Sequence, residues 1–360
     1  MKCTVIEIKQ KKQVFYITKL SAKVISQIAE IKRREHSNDV NVQRSERAHK
    51  VKEIAIYCQD PDAIFPTPII IGTQESLSVT NNELELDTNQ IIGEILDGQH
   101  RILGISKANM LDEFILPVVI FPKIDTTQKA YIFSTINSTQ TKVSPTEIYD
   151  LFGVIKGKSP YKLCHTLAEM FLYDISSPFY KKIKMKSTKQ YKEESLSLGT
   201  FTNELLSLIS KEPQKDWIDI KNTESLYDNE ALPLRTYFIR YAKQDIELEE
   251  NDSEYVVTMY KILNNYFSAV EKSFPIEWHN SDKYILSKTT GFGALMKFFP
   301  HLYKLGKEQK TFKQEFFYSY FIKIKNNLEE TNKPLTSEFF PSNAQTQNNL
   351  KKLFIEIINS

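Results

Sequence analysis

One short segment, Asp97-Gly98-Gln99-His100-Arg101, concentrates the side chains of this chain that could do chemistry. An apolar run before it predicts a buried strand, and the apolar spacing after it predicts a helix. Gly98 would let the backbone approach a ligand closely. The polar side chains would stand at a helix N-terminus, where N–H groups and the helix dipole favour an anion. The segment therefore predicts a turn that binds phosphate.

The side chains of this turn suggest separate roles in binding and catalysis. Arg101 can donate two parallel hydrogen bonds to phosphate oxygens, and His100 can bind phosphate or transfer a proton. Asp97 can orient a water molecule or hold Mg²⁺, and its alternative role is to cap the helix N-terminus. The structural alternative for the whole segment is an ordinary Asp-Gly turn followed by a solvated arginine. Because Asp97 is the only obvious carboxylate nearby, any hydrolysis should be slow.

The composition indicates an ordered protein of about two domains. At 360 residues, with 41% hydrophobic and 12% aromatic residues, the chain is long and apolar enough for two cores. Its three cysteines are far apart and odd in number, which favours a reducing compartment over a disulfide framework or a zinc site. No apolar run approaches a membrane span and no signal peptide is evident. We therefore expect a cytoplasmic protein without membrane contact.

The apolar spacing predicts an α+β protein in which short strands position the turn. Residues 1 to about 125 alternate strand and helix patterns, with hairpins near residues 9–13 and 76–86 and a helix capped by Ser21. Helical patterns dominate from Ser144 onward, and the polar stretches 211–230 and 243–253 predict loops. We expect an N-terminal domain over residues 1–150 and a mostly α-helical accessory domain over residues 151–360.

Two other segments carry charge or hydroxyl groups. The net charge is only +2, but six lysines fall within a dozen residues beside two tyrosines, a pattern that predicts either a nucleic-acid contact or a solvated loop. Lys288-Thr289-Thr290-Gly291 lacks the glycine spacing of a phosphate loop and predicts a helix start with a capping Thr. The nucleic-acid candidates within the lysine run are Lys181, Lys182, Lys184 and Lys186.

The pentapeptide at residues 97–101 is identical to the signature of DGQHR-domain proteins, a branch of the ParB/sulfiredoxin-like superfamily. Gln43-Arg44 and the following helix pattern, which ends at Tyr57, resemble a second segment of that family. Residues 133–147 are similar to a third segment, in which ParB proteins place a Glu-Asn pair at a metal-bound nucleotide. The resemblance implies a ParB/sulfiredoxin-like fold for residues 1–150, with nucleotide phosphates bound at the strand-to-helix turn.

The resemblance also implies further binding residues. ATP or another nucleoside triphosphate would contact the turn, with Asn137 facing the phosphates and Arg44 as a weaker contact. Mg²⁺ would be held through the nucleotide by Asp97 and Asn137, although Ile136 replaces the glutamate of ParB proteins and changes the metal geometry. Thr139 and Gln140 could supply further oxygen and amide contacts.

Departures from the family pattern narrow the function. Gln99 stands where sulfiredoxins have their nucleophilic cysteine, which excludes their thiol chemistry, and no ParB-type helix-turn-helix is evident. The chain resembles instead the ParB-like B components of bacterial systems that insert sulfur or 7-deazaguanine into DNA. The leading hypothesis is a slow ATPase of a DNA-modification or phage-defence system, with DNA and proteins of the same gene cluster as partners; homodimerisation stays open. The alternative is a non-enzymatic DNA-binding transcriptional regulator, and the lack of a carboxylate cluster argues against a nuclease.

Overall fold

The computed structural model describes most of the chain as two compact units, Met1–Lys142 and Val143–Ser360. The boundary precedes the expected one near residue 150, because the helix Pro145–Asp150 packs on helices of the second unit. The side chains of residues 40–47 are not described. The described residues are 1–11, 13–31, 40–125, 127–129, 132, 136, 144–155, 157–186, 189–222, 225–226, 231–243 and 254–360.

Two sheets form the framework of the first unit. Their strands in the described residues are β1 (Lys2–Thr4), β2 (Ile6–Gln10), β3 (Gln13–Ser21), β4 (Ala29–Glu30), β5 (Ile69–Thr73), β6 (Val79–Thr80), β7 (Glu83–Glu85), β8 (Gly93–Asp97) and β9 (Ile115–Phe121). The larger sheet has the order β2-β3-β9-β5-β8-β4, and the smaller has the order β1-β7-β6. β5 runs parallel to β9 and antiparallel to β8, so the larger sheet is mixed. Both predicted hairpins, β2-β3 and β6-β7, are confirmed.

A β-bulge interrupts the pairing of β5 with β8 beside the pentapeptide. Ile70 pairs with Asp97 and Ile71 pairs with Ile95, so Leu96 is an extra residue on β8. Ile95 and Leu96 are consecutive in the chain and both are buried. A regular strand would bury only alternate residues on one face.

Among the described residues, the helices α1 (Ala22–Ile28), α2 (Val40–Tyr57) and α3 (Gln99–Lys107) accompany the larger sheet. The predicted cap of α1 is confirmed, since the Ser21 hydroxyl accepts a hydrogen bond from the Val24 N–H at 3.3 Å. α2 packs against α3, and a Cβ atom at Gly104 would lie 2.4 Å from Ile54 Cγ2, so only glycine allows this approach. Fully buried residues of β5 and β9, such as Ile71 and Val118, form the core beneath them.

The second unit is mostly α-helical, as predicted. Its helices in the described residues are α4 (Pro145–Asp150), α5 (Pro160–Tyr173), α6 (Leu198–Ile209), α7 (Pro213–Lys221), α8 (Arg235–Lys243), α9 (Glu254–Ser273), α10 (Pro275–His279), α11 (Thr289–Glu308), α12 (Gln314–Glu330) and α13 (Ala344–Asn359). A short parallel pair, β10 (Ile183–Lys184) and β11 (Leu196–Ser197), joins them. Buried aromatic rings, including Phe179, Phe267 and Trp278, fill the core. Within the described part of the chain, no helix combines the length and the apolar character needed to cross a membrane.

The prediction of a loop over residues 211–230 is wrong where α7 lies. Pro213 occupies the first turn of this helix, where its missing N–H costs no hydrogen bond. Asp216 on α7 forms a buried ion pair with Arg235 at the start of α8, whose two terminal nitrogens donate to both carboxylate oxygens. One of the polar residues that suggested a loop, Asp216, therefore connects the two helices.

Candidate functional site

The pentapeptide forms the junction between β8 and α3, as the sequence predicts. Asp97 ends the strand, Gly98 adopts the left-handed conformation with φ of 95°, and Gln99 begins the helix. The N–H groups of Arg101 and Ile102 both donate to the Gly98 carbonyl, at 3.0 and 3.2 Å. The N-cap is Gly98 and it has no side-chain cap, so the alternative role of Asp97 as the helix cap is wrong.

The Arg101 guanidinium holds this junction to the chain that enters β5. One terminal nitrogen donates to the carbonyl and the hydroxyl of Thr67, the hydroxyl at 2.8 Å. The other donates to the Pro68 carbonyl at 2.9 Å and to Asp97 Oδ2 at 3.3 Å. The Arg101 side chain is 14% exposed and that of Asp97 is 35% exposed. Burial lowers the pKa of the guanidinium, and the Asp97 carboxylate opposes this shift.

This arrangement determines how the turn could receive an anion. Arg101 keeps its charge because arginine stays protonated at any physiological pH, and its nearest negative group is Asp97. A phosphate could replace Asp97 on the guanidinium while the two carbonyl contacts keep the guanidinium in place. Exchange would release the carboxylate toward the same ligand, where it could accept a hydrogen bond from water or bind Mg²⁺.

The other predicted residues of the turn are partly accessible. Gln99 and His100 lie in the first turn of α3 and are half-buried, and His100 Nε2 is shielded from solvent. Asn137, Thr139 and Gln140 lie outside the described residues, as does the side chain of Arg44, whose backbone belongs to α2. Their contacts with a nucleotide stay predictions. The described residues contain no cluster of three His, Cys, Asp or Glu side chains that could hold a metal ion.

Sequence reasoning missed an acidic cleft of about 540 Å³ in the first unit. It lies at the start of β8, at the opposite end of the strand from Asp97. Glu30, Glu75 and Glu85 line it together with a buried ion pair in which Lys129 Nζ lies 3.2 Å from Glu94 Oε1. The excess of carboxylates disfavours an anion in this cleft. The two ends of β8 therefore differ in the charge of the ligand that they favour.

The lysine run divides into packed and exposed members. Lys181 Nζ lies 5.0 Å from the ring centre of Tyr180, and Lys182 Nζ lies 5.4 Å from that of Trp278. Burial lowers the pKa of Lys182, and Glu271 opposes the shift. Lys184 lies on β10 and lines a cavity, whereas Lys186 is exposed.

Comparison with known proteins gives the family. Residues 3–318 match the DndB family model, described as DNA-sulfur modification-associated. No curated protein matches the chain. Among solved structures, the C-terminally truncated chromosome-partitioning protein ParB from Caulobacter crescentus, complexed with CTP-gamma-S, matches with 8% identity over 67% of this chain and 98% of that chain. Its TM-score of 0.26 is too low to transfer a fold or a ligand. Because the family model covers most of its length, the chain belongs to the DndB family of proteins associated with DNA-sulfur modification.

Proposed function

We propose that this protein is the nucleotide-binding component of a DNA-sulfur modification system and hydrolyses ATP slowly. The observation that carries the proposal is the junction itself: a left-handed glycine between a strand and a helix, with a half-exposed Asp97 paired to Arg101. Main-chain N–H groups at a helix start and an oriented guanidinium together form a phosphate site. The family's association with DNA modification gives this site its biological setting.

The residues of the junction divide the work of binding and hydrolysis. Arg101 exchanges Asp97 for phosphate oxygens, and His100 contacts the phosphate from the first helical turn. Asp97, once released, orients the attacking water, and Asp97 and Asn137 would hold Mg²⁺. The metal would screen phosphate charge when bound. With a single carboxylate in the set, turnover suits a conformational switch better than rapid metabolism.

Variants of Arg101 and Asp97 test the proposal, because they should change ATP affinity in opposite directions. Arg101→Ala should weaken ATP binding by about 10- to 100-fold, because charge-assisted hydrogen bonds to phosphate are lost. Asp97→Asn should retain or tighten ATP binding in the presence of a chelator, because the competitor for Arg101 loses its charge. The same variant should lower ATP turnover by about 100-fold. Binding is measured by titration calorimetry and turnover by phosphate release.

Two further variants control for folding and surface charge. Lys107→Ala removes a charge from the exposed last turn of α3 and should change neither quantity. Arg101→Lys keeps the positive charge but loses the forked geometry, so it separates loss of charge from loss of shape. Wild-type ATP affinity in Arg101→Ala, with circular dichroism confirming the fold, would contradict the assignment.

A DNA-binding regulator is the second candidate, favoured by the lysines and aromatic rings around β10. Neutralising Lys181, Lys182, Lys184 and Lys186 together should weaken binding to a DNA duplex and reduce the salt slope of log K by about 0.9 for each lost phosphate contact. Gel-shift titrations at several salt concentrations measure both effects. An unchanged slope would exclude this surface as the DNA contact, and duplex binding without ATP turnover in the wild type would favour regulation over hydrolysis.

A further inference from the structure

A second cavity, of about 540 Å³, lies within the second unit beside β10, β11 and the start of α11. Among the described lining residues, three are lysines, Lys184, Lys189 and Lys288, and they outnumber the two carboxylates, Glu194 and Asp282. Serine and threonine hydroxyl groups form much of the remaining wall. This volume is in the range of small-molecule sites, and the lining favours an anion that accepts many hydrogen bonds.

The N-terminus of α11 opens onto this cavity. The helix has twenty residues, and its first intrahelical hydrogen bond runs from the Phe292 N–H to the Lys288 carbonyl at 2.8 Å. The predicted threonine cap is wrong, because the N-cap is Lys288 and no side chain caps the helix. Thr289 and Thr290, which line the cavity, therefore belong to an uncapped first turn whose dipole favours negative charge.

A buried carboxylate at the cavity wall points independently to a ligand. Glu194 is 4% exposed, and its Oε1 accepts hydrogen bonds from the N–H groups of Gln190 and Tyr191 at 3.0 and 3.2 Å. Its Oε2 is buried and, among the residues that the structure describes, has no hydrogen-bond donor. A buried acceptor without a donor is costly, and a donor on a bound ligand would remove that cost.

We propose that this cavity binds a phosphate ester whose organic part carries a hydrogen-bond donor, which is the chemistry of a nucleotide. Lys184, Lys288 and the first turn of α11 hold the phosphate, and a sugar hydroxyl or base amino group donates to Glu194. The source is either a free nucleotide or the phosphorylated end of a DNA strand. The site belongs to the second unit and does not depend on the nucleotide role of the Asp97–Arg101 junction.

Titration of an Arg101→Ala protein with AMP tests the proposal, because the first junction is weakened in that background. AMP should still bind, and Lys184→Gln combined with Lys288→Gln should weaken it by about tenfold or more. Lys186→Gln is the matched control: it removes an exposed lysine from the same run that does not line the cavity. No AMP binding in the Arg101→Ala background, or equal affinity in all these variants, would overturn the proposal and leave the first site unaffected.

Glu194→Gln tests the part of the ligand beyond the phosphate. Relative to inorganic phosphate, AMP should lose about tenfold in affinity, because removal of the charge acts on both anions alike whereas only the organic part of AMP donates to this side chain. An equal effect on both probes would overturn the role of Glu194 and with it the nucleotide assignment. A 5′-phosphorylated oligonucleotide is then compared with AMP and with the same oligonucleotide lacking the phosphate. If the phosphorylated oligonucleotide binds more tightly than both, the ligand is a DNA end. If AMP binds more tightly than the phosphorylated oligonucleotide, the ligand is a free nucleotide.

Discussion

Replacing Asp216 with alanine should lower the free energy of unfolding of the second unit by about 3–5 kcal/mol, because it removes the carboxylate that neutralises a buried guanidinium. The Asp216 and Arg235 side chains are 10% and 5% exposed, and Arg235 Nη2 lies 3.1 Å from Asp216 Oδ1. The Ser210 hydroxyl donates to the same carboxylate at 2.5 Å. Together these contacts connect α7 to α8.

Tryptophan fluorescence during denaturant unfolding measures this effect without interference from the first unit. The chain has two tryptophans, Trp217 and Trp278, and both lie in the second unit. Glu329→Ala is the control, because it breaks an exposed pair with Lys325 and should cost less than about 1 kcal/mol. A similar loss in both variants would show that the buried pair contributes little.

A double variant separates the pair from the charge that it leaves behind. Asp216→Leu combined with Arg235→Met should be more stable than Asp216→Ala, since removing both charges avoids a buried ion without a counterion. If the losses in free energy of unfolding caused by Asp216→Leu and Arg235→Met alone add up to that of the double variant, the two residues act independently.

Replacing Gly98 with alanine should destabilise the β8–α3 junction by about 2–4 kcal/mol, through the left-handed backbone and through steric overlap. A Cβ atom here would lie 2.4 Å from Ile69 Cδ1 and 3.1 Å from Arg101 Nη2. The substitution therefore strains the backbone and displaces the guanidinium that the phosphate site requires. We expect ATP affinity to fall together with stability.

Gly157→Ala is a matched control that measures only the cost of the left-handed backbone, without steric overlap. Gly157 also has a positive φ, of 87°, but a Cβ atom there would meet no described heavy atom within 4 Å. Its cost should be about 1 kcal/mol. Hydrogen–deuterium exchange measures the local destabilisation in both variants. Mass spectrometry follows peptides from α3 and from the segment around Gly157. Equal losses of protection would mean that contacts with Ile69 and Arg101 add nothing.

The local features of the fold could be predicted because each is encoded within a few residues. Ser21 stands three residues before the N–H that it caps, and the hairpins follow from alternation around short turns. The position of the pentapeptide between a strand and a helix follows from the change of apolar spacing across Asp97-Gly98. These signals need no knowledge of distant contacts.

The missed features depend on residues far apart in the chain. Arg101 takes its main contacts from Thr67 and Pro68, more than thirty residues earlier, and it also binds the Asp97 carboxylate, for which the helix cap was the alternative role. The ion pair between Asp216 and Arg235 likewise turns a polar stretch into packed helices. Both cavities combine side chains from several segments, so no single stretch of sequence marks them.

The extra residue in β8 has a consequence for transplanting this site. The extra residue places Asp97 opposite Ile70, on the face away from Ile95. In a regular strand residues 95 and 97 would share a face, and Asp97 would turn away from Arg101. If only residues 97–101 were grafted onto another strand–helix connection, the sequence of the motif would be present but Asp97 would not face Arg101. The smallest portable version of the site must include the irregular stretch of β8 and the Thr67-Pro68 segment that enters β5.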